Sequence, residues 1–323
     1  MVAAHAVVCL VWLAEFACSI AIIASNKVIL ERSSLRFPVT LTAAHFVWTA
    51  LCTQCVTRRQ QQREPAADGA LTFGTTCSFA VISAVAIIMS NASLCVNSVA
   101  VYQICKLGTL PFVAALEHGT RMRAYSWAHC APLLLIMVGV GVAIGGGVAT
   151  STAGVAIALA SVATTGMHQF LCGRLQTWFA VAPARLLSYI SPIKACLLIV
   201  VGPLLDKLWF GSDVRDVAWT PHLVAVLGVS CTLAAVLNWA QYAVISMLGA
   251  GRYQALSQLK TAAIILVGAA AFDGGPRATQ CAGTAVAIAG VYAFFTMRNR
   301  ASCPEQAAAS QGTGGAKLKL GVV

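Results

Sequence analysis

Three lysines inside apolar segments are the residues whose positions first suggest chemistry. Lys106, Lys194 and Lys260 lie within long apolar runs, whereas the other lysines and arginines lie between or beyond such runs. A charged side chain at the centre of a lipid bilayer costs about 2.5–3.5 kcal/mol on insertion scales, and such groups usually face a functional cavity. These lysines are therefore candidates for a ligand-binding site.

Two of the lysines share a helix face with a tyrosine. Tyr102 and Lys106 are spaced i, i+4, with Gln103 beside them, so they lie on one side of a helix. This face and a second face of the same kind would together form a cavity with two ammonium groups and two phenols. This cavity suits a diphosphate, because lysine binds phosphate as a point charge and tyrosine stacks on a base or hydrogen-bonds a ribose. The second face consists of Tyr253, Ser257, Lys260 and Thr261.

Other polar residues within apolar runs are compatible with more than one role. Glu15 is the only acid well inside such a run, and it is either a structural partner for a lysine or a proton-coupling group. Asn97 and Asn238 either hydrogen-bond sugar hydroxyls or join helices. Tyr189 precedes Pro192, whose ring kinks a helix and frees a backbone carbonyl, which is tolerated beside a cavity or a neighbouring helix.

The composition identifies the class of protein that must position these residues. Of 323 residues, 59% are hydrophobic and 10% are charged, whereas soluble domains have about 25% charged residues. This excludes an ordinary soluble enzyme and an intrinsically disordered chain. The apolar runs are long rather than alternating segments of about ten residues, so the chain is predicted to be an all-α integral membrane protein.

About 20 apolar residues cross the hydrocarbon core of a bilayer. On this basis the sequence predicts ten transmembrane helices joined by short loops. The predicted spans are Val2–Ala24, Val39–Val56, Phe73–Met89, Leu94–Leu116, Trp127–Gly147, Ala153–Leu171, Leu186–Leu205, His222–Leu248, Ala255–Ala271 and Ala282–Met297.

An internal repeat relates the two halves of the chain. Tyr102-Gln103 in the fourth span recurs as Tyr253-Gln254 at the start of the ninth, and Gly139 and Gly290 share the same offset of 151 residues. Because five spans are an odd number, the second copy must be inverted in the membrane, an arrangement known from transporters. The predicted units are residues 1–148 and 149–300, each a five-helix repeat, and a disordered cytosolic tail over 301–323.

The distribution of basic residues predicts the orientation. With a cytosolic N-terminus, the cytosolic connections and tail carry twelve lysines and arginines, against six on the opposite side. The positive-inside rule therefore places both termini in the cytosol. The net charge of +11 is mostly this topological signal, so no nucleic-acid partner is implied.

Several catalytic and metal-binding patterns are absent from the sequence. It has no P-loop, H-E-x-x-H or G-x-S-x-G motif, and nearly all of its 13 cysteines lie within apolar runs. These features favour neither an enzyme, nor a metal site, nor a disulfide framework. No cofactor is expected. Small residues in the fifth and tenth spans, including Gly139, Gly141, Gly145, Gly283 and Gly290, predict close helix packing, either within the chain or in a homodimer.

Residues 97–107 resemble a family signature. They read N-S-V-A-V-Y-Q-I-C-K-L, which is similar to the fourth-span pattern N-S-V-x-x-Y-Q-x-x-K-L of nucleotide-sugar transporters. The chain thus resembles the "KT" group of the nucleotide-sugar and triose-phosphate translocator family, in the drug/metabolite transporter superfamily, from about Ala14 to Arg298. Further matches are Asn26, Lys27, Tyr253, Gln254, Lys260 and Thr261.

This resemblance implies a function and a location. It implies two inverted five-helix repeats in a Golgi or endoplasmic-reticulum membrane, which exchange a cytosolic nucleotide-sugar for a luminal nucleoside monophosphate by alternating access. GDP-mannose carriers have G-A-L-N-K in the ninth span, whereas this chain has Ser257-Gln-Leu-Lys260-Thr261, so a UDP-sugar is favoured. Lys194 departs from the family, in which glutamine is more usual.

Alternative functions remain open from the sequence. The chain is also compatible with a translocator for small organic phosphates, or with a non-transporting membrane scaffold or receptor. Paired intramembrane lysines argue against a scaffold, because a scaffold has no use for them. The residues predicted to bind substrate are Asn26, Lys27, Asn97, Tyr102, Gln103, Lys106, Tyr189, Asn238, Tyr253, Gln254, Ser257, Lys260 and Thr261.

Overall fold

The protein is helical throughout the part of the chain that the computed structural model describes. The described residues are 2–32, 37–63, 71–97, 99–123, 125–145, 151–211, 214–258 and 278–312. Within these ranges the backbone forms α-helices, two short 3₁₀ turns and connecting loops, and no β-strand.

The described residues of the first half of the chain form six α-helices. Thr72 begins the third of them, because its Oγ1 accepts a hydrogen bond from the backbone N of Thr75 at 3.2 Å, a typical N-cap. A 3₁₀ turn, Trp127–His129, leads into the sixth helix. The helices are α1 (Val2–Arg32), α2 (Pro38–Arg63), α3 (Phe73–Val96), α4 (Val99–Leu107), α5 (Thr109–Gly119) and α6 (Cys130–Gly145).

The described residues of the second half form five α-helices, two of which also have hydroxyl caps. Ser151 Oγ accepts from the backbone N of Gly154 at 3.0 Å, and Thr220 Oγ1 accepts from the backbone N of Leu223 at 3.2 Å. The helices are α7 (Thr152–Trp178), α8 (Pro183–Phe210), α9 (Pro221–Leu248), α10 (250–258) and α11 (Ala278–Gly312).

Several of these helices have the length and composition of membrane spans. Within the described residues, five meet both criteria: Pro38–Arg59 of α2 and all of α3, α7, α8 and α9. Shorter apolar stretches of α1, α6 and α11 add to them. The prediction of an all-helical, multi-pass membrane protein is confirmed.

The predicted fourth span, Leu94–Leu116, is wrong in two respects. Its first residues belong to α3, which continues to Val96, and the remainder is broken into α4 and α5 rather than forming one helix. Pro111 explains the break, because proline has no N–H to donate to the Leu107 carbonyl and its ring crowds that carbonyl. Lys106 consequently lies in the last turn of α4, beside the break.

Helices from the two halves of the chain pack against each other. The most extensive pairs are α6 with α11, α2 with α8, α1 with α9 and α3 with α7, followed by α2 with α9 and α3 with α8. The central apolar cluster includes Phe79, Leu187, Tyr242 and Tyr253, from four different helices. This arrangement brings residues far apart in sequence to the middle of the bundle.

Small residues allow α6 and α11 to touch through their backbones. A Cβ atom built on Gly139 would lie 2.4 Å from the backbone N of Ala287, and one built on Gly283 would lie 2.4 Å from the backbone N of Ala143. Gly141, by contrast, has no atom within 4 Å of such a Cβ. The predicted close packing is therefore made within the chain, and a homodimer would need a different surface.

The helix α11 extends beyond the predicted tenth span, to Gly312. This extension is rich in alanine and glutamine, which are good helix formers. The predicted disordered cytosolic tail over 301–323 stays a prediction. Residues 313–323 lie outside the described residues, and the unit boundaries at 148 and 300 remain a prediction.

Candidate functional site

Lys106 and Tyr102 occupy one face of the short helix α4. The half-buried ammonium group of Lys106 lies 4.3 Å from the centroid of the buried Tyr102 ring. Such a cation–π contact orients the ammonium group but does not neutralise its charge. Within the described part of the chain, no side chain hydrogen-bonds or ion-pairs with it. Lys106 can therefore accept an anionic ligand.

The helix α10 lies next to α4 at this lysine. Gln258 Nε2 donates a hydrogen bond to the backbone carbonyl of Lys106 at 3.4 Å. Ala255 belongs to the same apolar cluster as Ile104 and Leu107 of α4. The described parts of the fourth and ninth segments are thus adjacent, although they are about 150 residues apart in sequence.

Tyr253 uses its phenol to join α10 to α1. Its hydroxyl donates to Glu15 Oε1 at 2.9 Å, and the Glu15 side chain is only 2% exposed. Ser257, one turn further along α10, also interacts with the Tyr253 side chain. The sequence suggested a lysine as the partner of Glu15, but the partner in this contact is a tyrosine.

Two glutamines of α10 present buried acceptors. The Oε1 atoms of Gln254 and Gln258 are buried and have no hydrogen-bond partner among the described residues. Buried polar atoms are nearly always paired in proteins, so an unpaired acceptor suggests a missing donor. The N–H groups of a nucleobase or the hydroxyls of a ribose would supply such donors. Gln258 was not identified from the sequence, where only its i, i+4 spacing from Gln254 could have indicated it.

Two of the candidate asparagines, Asn97 and Asn238, contact other helices. Asn97 Nδ2 donates to the Gly154 carbonyl of α7 at 2.9 Å, while its Oδ1 has no described partner. Asn238 Nδ2 lies 3.5 Å from Thr49 Oγ1 of α2. Joining helices accounts for these contacts, and a role in substrate binding stays a prediction. Tyr189 of α8 is 42% exposed.

Some predicted site residues cannot be located. Lys260 and Thr261 lie outside the described residues. Asn26 and Lys27 are in α1 and Gln103 is in α4, but their side chains are not described. Their proposed roles stay predictions.

The structure reveals two buried carboxylates that the sequence analysis did not select. Asp206, near the end of α8, accepts from the backbone N atoms of Val39 at 3.1 Å and Thr40 at 2.8 Å. It therefore caps the first turn of α2. Two features of the sequence could have indicated this contact. One is an acid at the end of an apolar run, and the other is a second apolar run that starts at a proline without a capping residue of its own.

Glu117 at the end of α5 is the second of these carboxylates. Its Oε1 accepts from the backbone N of Gly251 at 3.1 Å, and its Oε2 accepts from the hydroxyl of Tyr125. It thus connects α5 to the loop before α6 and to the first turn of α10. In the sequence, its position at the end of an apolar run could again have indicated this role.

Comparison with known proteins identifies the family. The model of the Triose-phosphate Transporter family matches residues 3–295. The chain belongs to the Triose-phosphate Transporter family. The family resemblance expected from the motifs of the fourth and ninth spans is thereby confirmed.

Relatives of this family member include named transporters. The chain is 30% identical to UDP-rhamnose/UDP-galactose transporter 1 of Arabidopsis thaliana, over 88% of this chain and 81% of the relative. It is 27% identical to UDP-xylose transporter 1 of the same species, over 86% and 81%. A chain in a crystal structure is similar with a TM-score of 0.63, at 13% identity and over 91% of this chain and 98% of that one. The last likeness concerns the fold alone.

Proposed function

We propose that this protein is a nucleotide-sugar antiporter that exchanges a UDP-sugar for a nucleoside monophosphate by alternating access. The observation that carries the proposal is the half-buried Lys106 ammonium group, which has no anionic partner among the described residues. Phosphate groups supply that partner. The relatives are named as transporters of UDP-rhamnose, UDP-galactose and UDP-xylose, which supports UDP-sugars as the substrate class.

The proposed site divides the ligand between helices. Lys106 and Lys260 bind the diphosphate from the fourth and ninth spans, since lysine acts as a point charge toward phosphate. The buried amides of Gln254 and Gln258 are suited to the base and the ribose, because their oxygens lack donors among the described residues. Tyr102 is held beside Lys106 and offers a ring for stacking.

Helix packing supports the proposed architecture of ten spans in two inverted repeats, residues 1–148 and 149–300. If α4 and α5 together are the fourth span, then α7 to α11 are spans six to ten. A two-fold symmetry between the repeats relates span one to span six, span two to span seven, and so on. Under this symmetry the helix pair α1–α9 corresponds to the pair α7–α3, and the pair α2–α9 corresponds to the pair α8–α3. The pairs α2–α8 and α6–α11 convert into themselves. All of these pairs occur among the extensive contacts, as a two-fold axis in the membrane plane requires.

We further propose that the protein lies in a Golgi or endoplasmic-reticulum membrane with both termini in the cytosol. The excess of basic residues on the side of the termini, twelve against six, supports this orientation. Epitope tags at both termini should be accessible in cells whose plasma membrane alone is permeabilised. A tag between Gly211 and Val214 should become accessible only when the internal membrane is opened, and the reverse pattern would refute the orientation.

The charge of the proposed site is the reason to expect exchange of one anion for another rather than one-way transport. Without a ligand, the carrier would change conformation with two uncompensated lysines inside a low-dielectric membrane, and this step should be slow. A bound anion offsets the charge of these lysines. Uptake of UDP-galactose into proteoliposomes should therefore rise at least tenfold when the vesicles contain UMP. Equal rates with empty and loaded vesicles would refute strict antiport. Exchange of triose phosphate for inorganic phosphate, without exchange of UDP-galactose, would instead identify an organic-phosphate translocator.

The lysines of the site can be tested one at a time. Lys106→Ala and Lys260→Ala should each weaken UMP binding about ten- to a hundredfold, because each removes a charge-assisted hydrogen bond of about 1.5–3 kcal/mol. Arginine should rescue only in part, since its guanidinium group differs in shape. Lys207→Ala, at the exposed end of α8, is the matched control. Unchanged affinity in both site variants would refute the proposed phosphate site.

A further inference from the structure

A third lysine is buried in the middle of the bundle, on different helices. Lys194 of α8 is only 2% exposed, and its ammonium group lies 3.7 Å from the centroid of the Phe46 ring of α2. It follows the first residue of α8 by eleven positions, which is about 16 Å along the helix axis. Its depth therefore corresponds to the centre of a bilayer core about 30 Å thick.

Lys194 has no partner that neutralises its charge among the described residues. No hydrogen bond or ion pair to it is found there. The sequence has only ten acids, and Glu15 alone lies well inside a span. Glu15 is engaged by the Tyr253 hydroxyl, on α1 and α10. An ammonium group buried without a counter-charge is costly, so a ligand is the reasonable source of the missing anion.

The Phe46 ring lies against this ammonium group, and an imidazole lies near it. His168 and Cys172 of α7 lie within electrostatic range of Lys194. The His168 ring stacks on Phe79, with ring centroids 5.3 Å apart, and lies 5.9 Å from the ring of Tyr242. Phe79, His168 and Tyr242 come from α3, α7 and α9, whereas Lys106 is on α4.

Two further polar atoms near Lys194 lack partners. His168 Nδ1 and Ser191 Oγ are buried and make no hydrogen bond within the described ranges. Ser191 precedes Lys194 by three residues, so both lie on the same face of α8. An ammonium group, a hydroxyl and an imidazole nitrogen are thus all available to a ligand, whereas an apolar core would leave them unsatisfied.

We propose that Lys194, with Ser191 and His168, forms a subsite for a carboxylate on the sugar, so that the preferred cargo is a UDP-uronate. The inference rests on the proposed function, in which Lys106 and Lys260 bind the diphosphate. Ligand sites for organic rings are typically aromatic with a few well-placed polar groups, and this subsite has that character. A sugar ring lies against Phe79 and Tyr242 while its carboxylate binds Lys194.

Two ligands that differ in a single group test this subsite. UDP-glucuronate has a carboxylate where UDP-glucose has a hydroxymethyl group. In competition with UMP for the purified protein, UDP-glucuronate should bind at least tenfold more tightly than UDP-glucose. Lys194→Gln should abolish this preference by weakening UDP-glucuronate at least tenfold, while UDP-glucose and UMP change less than twofold. Lys207→Gln, at the exposed end of the same helix, should leave the preference intact.

The outcomes separate this inference from the proposed function. If the unaltered protein binds UMP and both UDP-sugars without preference, the carboxylate subsite is refuted and the antiporter stands. If Lys194→Gln weakens all three ligands equally, Lys194 binds phosphate and the inference is also refuted. If no nucleotide ligand binds, the proposed function itself fails. Should Lys194→Gln not fold, the preference of the unaltered protein and its reduction in Ser191→Ala decide the matter.

Discussion

The two most extensive helix pairs between the halves of this protein are built differently. In the pair α6–α11, glycines bring the two backbones into contact at several levels. A Cβ on Gly139 or Gly283 would lie 2.4 Å from a backbone nitrogen of the facing helix, and one on Gly290 would lie 2.8 Å from the Pro132 carbonyl oxygen. This pair has little freedom to change its spacing.

The pair α2–α8 is as extensive as α6–α11, but polar groups contribute to its contacts. At one end, Asp206 accepts from two backbone N–H groups of α2, and a Cβ on Gly202 would lie 3.2 Å from the backbone N of Thr40. In the middle, the pair encloses the Lys194 ammonium group against Phe46. At the other end, α8 begins at Pro183 after Ala182, which makes no side-chain cap.

This difference indicates which pair is able to move. A seam of backbone contacts resists separation along its whole length, because closely packed helices have no spare volume to absorb a shift. The pair α2–α8 has one such backbone approach, at Gly202, and encloses a charged group in its middle, so it is better able to separate. We expect α6–α11 to remain fixed while α2 and α8 separate during alternating access.

The largest expected effect is a loss of stability at the contact between α6 and α11. Gly283→Val should lower the free energy of unfolding by at least about 3 kcal/mol, since the added atoms meet backbone rather than flexible side chains. Gly141→Val is the control, because Gly141 lies on α6 away from α11 and has nothing within 4 Å of a Cβ. Thermal unfolding of the detergent-purified variants measures both. Equal losses would contradict the rigid seam.

The second-largest effect is expected at the end of the α2–α8 pair where Asp206 lies. Asp206→Ala leaves the N–H groups of Val39 and Thr40 without their acceptor and should cost about 1.5–3 kcal/mol. Cys95, which lies within electrostatic range of Asp206, should then react faster with a maleimide, as measured by mass spectrometry of its peptide. Asp216→Ala, at an exposed position, is the control. Unchanged labelling of Cys95 would argue against opening at this end.

The smallest effect is expected at the opposite end of the bundle. Tyr125→Phe removes one hydrogen bond to Glu117, which keeps its bond from the backbone N of Gly251, so the loss of stability should be about 1 kcal/mol. Tyr292→Phe, on the exposed side of α11, is the control. A loss larger than that of Asp206→Ala would reverse the ranking of the two ends.

The sequence by itself determined the class of protein and indicated the lysines as candidates for binding an anion. Long apolar runs require helices in a membrane, because backbone groups in lipid must pair within their own segment. Charged residues in such runs are costly and therefore conspicuous, so the lysines could be found without a structure. The family followed from motifs in the fourth and ninth spans, where residues adjacent in sequence share one helix face.

Only the tertiary structure decided which groups meet across the bundle. The bond from Tyr253 to Glu15 joins residues 238 positions apart, and the bonds from Val39 and Thr40 to Asp206 span 167 and 166 positions. Local periodicity shows which side of a helix is polar or small, but not which helix faces it. For the same reason, the apolar pattern located Lys194 within a span, whereas its place against Phe46 and near His168 depended on the packing of α8 with α2 and α7.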